Sequence, residues 1–418
     1  MRRISAFILF LALAVIVPSV SWAGGLYLYE IGPQEVGLAA AGWAARAQDA
    51  STVFTNPAGM TRLKQSELQL AVQPLYLGVE FDPDSKTTLS GKSGDATNWL
   101  PTGSLFYVRN ITDKFSAGFG IFGYFGLAMD YNNSWVGRYY IDEITLQGFN
   151  VMPSVSYKVN DWLSIGAGLN VMYAIFEQKA KVNNALDSLP DGELKIEDDD
   201  VAYGANIGIL IETGKATRFG IQYLSEMSLD FEDRPNFRNL GPGLKAILGR
   251  LDKLDLGMTT PDSVMVSAYH ELSDTWAVMG NVGWQQWSEF GKVDVTVSSE
   301  TSRSLTADRK YDDTWHVAAG AQYRIAEPWL WSFGFAYDSS IVEDKDRTPD
   351  LPLGEQWRFG TGINYKWRKS IDLSLAYELL WGGDLPMDVE RGPLAGRVSG
   401  DYDSAHMQFV NLALNWRF

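Results

Sequence analysis

The feature that most constrains this chain is an alternation of apolar and polar residues, with period two, that recurs along most of its length. Over residues 409–418, Val410, Leu412, Leu414, Trp416 and Phe418 alternate with Phe409, Asn411, Ala413, Asn415 and Arg417. Successive side chains of a strand point to opposite faces, so one face here is continuously apolar and the other carries two amides and a guanidinium. The pattern repeats with Ile371, Leu373, Leu375, Tyr377 and Leu379 against Asp372, Ser374, Ala376 and Glu378. Trp357, Phe359, Ile363, Tyr365 and Trp367 oppose Arg358, Gly360, Gly362, Asn364 and Lys366 in the same way. A soluble sheet would bury such a face on a core, whereas a transmembrane barrel turns it to lipid and lines its lumen with the polar set.

The punctuation fits the barrel. Short polar turns (Asn110–Lys114, Asn160–Asp161, Ser273–Asp274, Arg368–Ser370) alternate with longer segments at 82–98, 131–143, 181–199, 232–261, 291–310, 341–354 and 382–404. Short turns on one side and long loops on the other is the outer-membrane arrangement. Counting from Ser66 to Phe418 predicts about 14 antiparallel strands, an even number as single-chain bacterial barrels have. Closure leaves no strand edge unpaired in lipid. The chain is 13% aromatic, with 15 Trp and 19 Tyr. Several of these residues end apolar faces, as Trp315, Tyr323, Trp357 and Tyr365 do, which is where interfacial girdles belong.

Two segments fall outside this rule. Met1-Arg2-Arg3, the apolar run Ile4–Val17 and the small-x-small Ser21-Trp22-Ala23 read as a secretory signal over residues 1–23, with the mature chain starting near Gly24. Residues 24–65 lack alternation and read as short helices and loops, with Asn56 as an N-cap and Pro57 at the first helical position. The segment is either a periplasmic extension or a plug within the lumen. Its small size and low charge favour the plug, and the inward glycines 166, 168, 204, 208, 360 and 362 would make room for it.

Other classes find little support. The net charge of -16 argues against nucleic acid, and reads as solvated acidic loops. With no cysteine, disulfide staples and thiolate metal sites are excluded. No metal cluster, phosphate loop or dinucleotide fingerprint is present, so no cofactor is expected. His270, His316 and His406 lack a Ser/Asp partner at recognisable catalytic spacing, so an enzyme is not expected. A porin for polar solutes would want an open, charged lumen, which residues 24–65 would obstruct.

Asn56-Pro57-Ala58-Gly59-Met60, just before the first strand, resembles the signature of the FadL family of outer-membrane transporters. The resemblance runs through the mature chain. It includes Gly123-Tyr124-Phe125-Gly126-Leu127-Ala128 within Phe115–Tyr131, Tyr311-Asp312-Asp313-Thr314-Trp315, Phe335–Ser340 and the closing Trp416-Arg417-Phe418. It implies a 14-stranded barrel with an N-terminal hatch in a Gram-negative outer membrane, acting as a monomer among lipid and lipopolysaccharide. It also implies uptake of fatty acids or hydrocarbons by extracellular capture, a tight site beside the hatch, and lateral exit through a kinked third strand.

On that scheme Gly24, Asn56, Pro57 and Gly59 belong to the hatch and its ligand site, and Gly123 and Gly126 to the kink, unless those two glycines merely make room for the hatch. Leu244, Ile247, Leu248, Leu251 and Leu254 stand at helical spacing. Their apolar face lines either a capture groove or the barrel rim and lipopolysaccharide. A carboxylate ligand would need a cation, for which Lys179, Lys181, Arg309 and Lys310 are the nearest candidates. They do not fall on the family's positions, so either the partner is displaced or the ligand is an uncharged hydrocarbon.

Overall fold

The computed structural model describes residues 26–249, 251–298 and 302–418. Fourteen of its strands form the wall: β1 Glu67–Pro83, β2 Asn98–Asn110, β3 Phe115–Asp130, β4 Glu143–Lys158, β5 Leu163–Val182, β6 Gly192–Glu212, β7 Thr217–Leu224, β8 Ser263–Glu271, β9 Trp276–Gln285, β10 Thr314–Ala326, β11 Trp329–Asp338, β12 Gln356–Arg368, β13 Ile371–Glu390 and β14 Arg397–Arg417. Each pairs antiparallel with its sequence neighbours, and β14 returns to β1 with Glu67 opposite Arg417. The result is the closed, 14-stranded antiparallel barrel expected from the alternation.

Orientation follows the period-two pattern. Leu412 and Phe418 are about half exposed, while Phe409, Asn411 and Asn415 are buried. Trp357 and Tyr365 stand eight residues apart on β12, about 27 Å of strand at 3.4 Å per residue. Allowing for strand tilt, that spans most of the ~25 Å apolar band of such barrels. Trp99, Trp315, Trp357 and Trp381 mark its outer edge, and Trp162, Trp276, Trp329 and Trp416 its inner edge.

Two expectations about the loops need correction. The stretches 181–199 and 382–404 are largely strand, because β5 and β6 and then β13 and β14 continue beyond the membrane. Their apolar side chains turn inward there, as Ile196, Leu385, Met387, Val398 and Tyr402 do, and polar ones turn outward, so no lipid-facing apolar run marks these extensions. Stretches 232–261 and 291–310 are likewise partly folded. Met227–Asp233, Lys253–Thr260, Lys292–Ser298 and Ser302–Asp308 form a second sheet of four strands above the barrel.

The long amphipathic helix predicted over 240–254 is also cut short. The helix spans Pro242–Leu248, Leu251 lies beyond it, and Leu254 belongs to a strand. Strand Lys253–Thr260 pairs with a neighbour on each side, and that pairing overrides the local helical spacing.

Residues 26–63 lie inside the barrel, and Lys64 and Gln65 are exposed. The inner residues form the helices Pro33–Gly37 and Thr52–Thr55 and a 3-10 turn Pro57–Arg62. Asn56 caps that turn, its side chain accepting from Ala58 N at 3.1 Å, and its Nδ2 donates to Ala44 O at 2.6 Å and to Ile209 O at 3.0 Å. The wall yields to this segment at glycines. A Cβ at Gly208 would overlap the Asn56 side chain, at Gly220 the Ala44 carbonyl, at Gly334 the Leu38 carbonyl and at Gly360 the Val36 carbonyl. Gly166 and Gly362 face the segment too, whereas Gly168 faces Ser154 and Gly204 faces Met227.

Candidate functional site

The wall is not equally closed everywhere. β2 and β3 share a ladder only from Leu105↔Ile121 to Asn110↔Ser116. On its other edge β3 carries a bulge against β4, since Phe122 faces Asn150 while Phe125 faces Gly148, leaving one extra residue on β3. Such an insertion bends a strand and ends regular pairing. Gly123 sits in the bulge. Gly126 lies just beyond it, where a Cβ would come within 3.1 Å of Leu146 O.

Among the described residues, the edge of β3 that faces β2 has no strand ladder from Phe122 to Asp130. Its backbone groups would be costly to leave unpaired, and the N-terminal segment supplies partners. Leu28 N donates to Tyr124 O at 2.7 Å, Gly126 N donates to Leu26 O at 2.9 Å, and Tyr27 is the antiparallel partner of Phe125.

Aromatic side chains gather behind this patch. Tyr27 packs on Tyr124, Phe125 and Trp287, with ring centroids 4.9–5.9 Å apart. Phe54, from the hatch, meets Phe122 at 4.5 Å and Tyr124 at 4.8 Å. Several polar groups at the margin have partners. Tyr27 Oη donates to Pro261 O at 2.8 Å, Trp43 Nε1 to Gln222 Oε1 at 2.6 Å, and Gln285 Nε2 to Tyr29 Oη at 2.9 Å. Tyr27, Leu28, Trp43, Phe54, Tyr124 and Met265 are among the walls of a void of about 30 Å³, room for a water or two. The site is therefore apolar, aromatic and nearly filled by its own side chains.

A charged cluster borders it. Arg358 is buried and ion-paired with Glu30 of the hatch, with Asp338 at 2.8 Å and with Glu378 at 3.5 Å. His316 Nδ1 lies 2.8 Å from Asp338. Sequence reasoning did not single out Glu30 or Arg358 as site residues. The available signal was the run of charged inward positions on neighbouring strands, namely His316, Asp338, Arg358 and Glu378. The Glu30 contact, formed across the whole chain, left no local trace.

The other sequence candidates disperse. Lys179 pairs with Glu143 at 2.5 Å and Glu177 at 3.0 Å, Lys181 with Glu193 at 2.9 Å, Arg309 with Asp350 at 2.6 Å and Lys310 with Asp308 at 2.9 Å. Each already holds a carboxylate of the chain. Burial works to raise the Asp350 carboxyl, but Arg309 more than reverses this and holds it below the ordinary value. Leu244, Leu248 and Leu251 are half-buried on the extracellular rim, away from the aromatic void. Gly24 and the Ile247 side chain lie outside the described residues. Asn56, Pro57 and Gly59 are buried in the hatch, and a Cβ at Gly59 would press on Ala47 and Thr52, each at 2.9 Å.

A closed barrel filled by its own N-terminal segment, with an aromatic site beside a parted seam, defines an outer-membrane passage protein. The sequence model of the outer membrane protein transport protein family (OMPP1/FadL/TodX) matches residues 14–418, and the chain belongs to that family. It resides in the outer membrane of a Gram-negative bacterium. It is 27% identical over 409 residues to the long-chain fatty acid transport protein of Escherichia coli O6:H1, covering 88% of this chain and 90% of the relative. It is 26% identical over 446 residues to outer membrane protein P1 of Haemophilus influenzae Rd, covering 95% of each. Among solved structures, a Pseudomonas aeruginosa FadL homologue superposes with a TM-score of 0.85 at 20% identity, covering 94% of this chain and 100% of that one. The Pseudomonas putida toluene transporter TodX superposes with a TM-score of 0.71 at 13% identity, covering 94% and 99%. At these identities the two structures speak for the fold alone.

Proposed function

We propose that this protein passes small hydrophobic molecules across the outer membrane and releases them sideways at the β2–β3 seam. The observation that carries the reading is the N-terminal segment at Leu26–Leu28, bonded to β3 where β3 has left β2. A molecule arriving from the extracellular rim, where Leu244, Leu248 and Leu251 offer apolar contact, enters the aromatic site by displacing Tyr27 and its neighbours. Burial of about 200 Å² of apolar ligand surface contributes about 5 kcal/mol at ~25 cal/mol per Å². The two backbone hydrogen bonds that must part are each worth about 1 kcal/mol net. Ligand burial offsets these bonds and replaces the aromatic contacts that Tyr27 gives up, and the unpaired edge of β3 becomes a way out.

Relatives include proteins named as long-chain fatty acid transporters and, by fold, toluene transporters. Because all four candidate cations are already engaged by carboxylates, an uncharged hydrophobic ligand fits this site better than a fatty acid anion.

The test uses a staple. The chain has no cysteine, and antiparallel partners have Cα atoms about 4.5–5.5 Å apart, within disulfide range. Tyr27→Cys with Phe125→Cys, oxidised, should stop passage of toluene into cells whose lipopolysaccharide-covered outer membrane carries the variant, and reduction should restore it. Parental passage by the oxidised form would overturn the reading.

A further inference from the structure

A second weak place lies on the other side of the wall. β12 begins at Gln356, and its pairing with β13 reaches only to Trp357↔Trp381. β13 continues to Glu390, and from Gly383 upward it pairs with β14 alone. Among the described residues no strand covers its other edge. The loop between β11 and β12 fills the space instead. It runs outside with Glu343, Asp344 and Lys345 exposed, then turns inward with Pro349–Gly354 buried. Beyond a backbone bond from Asp312 N to Ile341 O at 2.8 Å, its fastenings are side-chain bonds rather than a ladder. Arg347 donates to Leu353 O at 2.9 Å and to Pro386 O, Tyr131 Oη donates to Pro349 O at 3.0 Å, and Arg309 pairs with Asp350 at 2.6 Å.

On the outer surface beside this loop is a cleft of about 880 Å³, with Trp357, Trp381, Leu385 and Pro386 among its walls. Behind it are two interior voids of about 40 and 30 Å³. Gly354 borders all three spaces, and Gly382 and Leu385 border both the cleft and the smaller void. Two glycines and one leucine thus form the partition between the outer surface and the lumen. Trp357 and Trp381 belong to the outer girdle, so the cleft opens at the level of the outer leaflet's interface.

We propose that this cleft is a second lateral opening, an inlet through which uncharged apolar molecules dissolved in the outer leaflet reach the lumen. The idea rests on the uptake reading above. The rim selects against anions, because Glu343, Asp344 and Asp384 stand beside Lys345 and Arg347, and those two cations already pair with carboxylates of the loop. A neutral molecule loses little on passing this rim, and a carboxylate or phosphate is repelled. Opening requires the loop to slide and Leu385 to swing aside, with no β-ladder broken.

The test follows arrival from the bilayer, not passage. Ala405 lines the smaller void, and Ala405→Cys gives a single thiol in a chain that has none. The full-length protein in phosphatidylcholine vesicles is exposed to N-phenylmaleimide dissolved in the bilayer, and thiol loss is timed by mass spectrometry. Adding Gly382→Trp should slow labelling at least tenfold, and adding Leu385→Ala should speed it at least threefold. Labelling at the parent rate in both variants overturns the inlet. If Gly382→Trp does not assemble, an unchanged rate in Leu385→Ala overturns it alone. Loss of the inlet with toluene passage still blocked by the 27–125 disulfide leaves the exit reading standing. Gated labelling together with passage indifferent to that disulfide removes the exit reading and keeps the inlet.

Discussion

Two seams of the same barrel differ sharply. β13 and β14 share eighteen partnered positions, from Ile371↔Trp416 to Glu390↔Arg397. β2 and β3 share six. The first seam holds itself through its own ladder. The second is completed from inside by three residues of the hatch, so wall integrity and hatch position become one variable. A barrel that must stay shut yet release cargo can keep one seam short and cover it with a detachable strand.

That contrast can be broken from either side. The largest effect should come from the strong seam. Leu412 lies between Val72 and Leu375, and Leu412→Pro removes a ladder bond in mid-sheet, where proline is essentially not tolerated. Assembly should collapse on heat-modifiability gels, while Gly123→Ala in the weak seam assembles at parental yield. Equal yields would erase the distinction. Next comes deletion of residues 24–29, which removes the cover of β3 but no barrel strand. Planar-bilayer conductance should rise at least tenfold in correctly assembled protein, and a silent bilayer would show that the cover is not the seal.

Gly334→Val pushes against the Leu38 carbonyl and should cost about 1–3 kcal/mol of overpacking. The readout is a lower Tm together with protease cleavage inside residues 26–65. Asn56→Ala loses the cap and the bonds to Ala44 and Ile209, for about 1–2 kcal/mol, with milder exposure of the same sites.

The smallest effect concerns Asp350, which lies outside the membrane. Its carboxyl is held below its ordinary 3.8. The stabilisation is therefore present at neutral pH and is lost as pH falls through that depressed value. Arg309→Gln removes the cation and leaves burial in command, so the carboxyl should titrate above 3.8. Infrared difference spectra of the carboxyl band, compared with those of Asp350→Asn, would show it.

How much of this was legible in the sequence depends on where apolar contrast exists. Within the membrane, lipid on one side and lumen on the other force alternation, and Val410 to Phe418 could be assigned face by face. Above the membrane the apolar residues, such as Ile196, turn inward and the outward face is charged, so strands such as Gly192–Asp200 lack a lipid-facing apolar run and read as acidic loop. Asn56 and Pro57 announced a capped turn because capping is local. A bulge of β3 falls at Gly123, whereas the partner of the freed edge, Leu26–Leu28, lies nearly a hundred residues upstream and carries no periodic signal. The same holds for Arg309, whose partner Asp350 is brought near by folding alone.

The contact of hatch backbone with wall glycines has a consequence for biogenesis. Leu38, Val36 and Ala44 press on Gly334, Gly360 and Gly220 so closely that no side chain fits between them, and the hatch precedes β1, which zips to β14 at the closing seam. A finished cylinder offers no clearance for threading these residues in afterwards. We therefore expect the cork to be in place when the last two strands meet, acting as a mandrel for the barrel's final diameter.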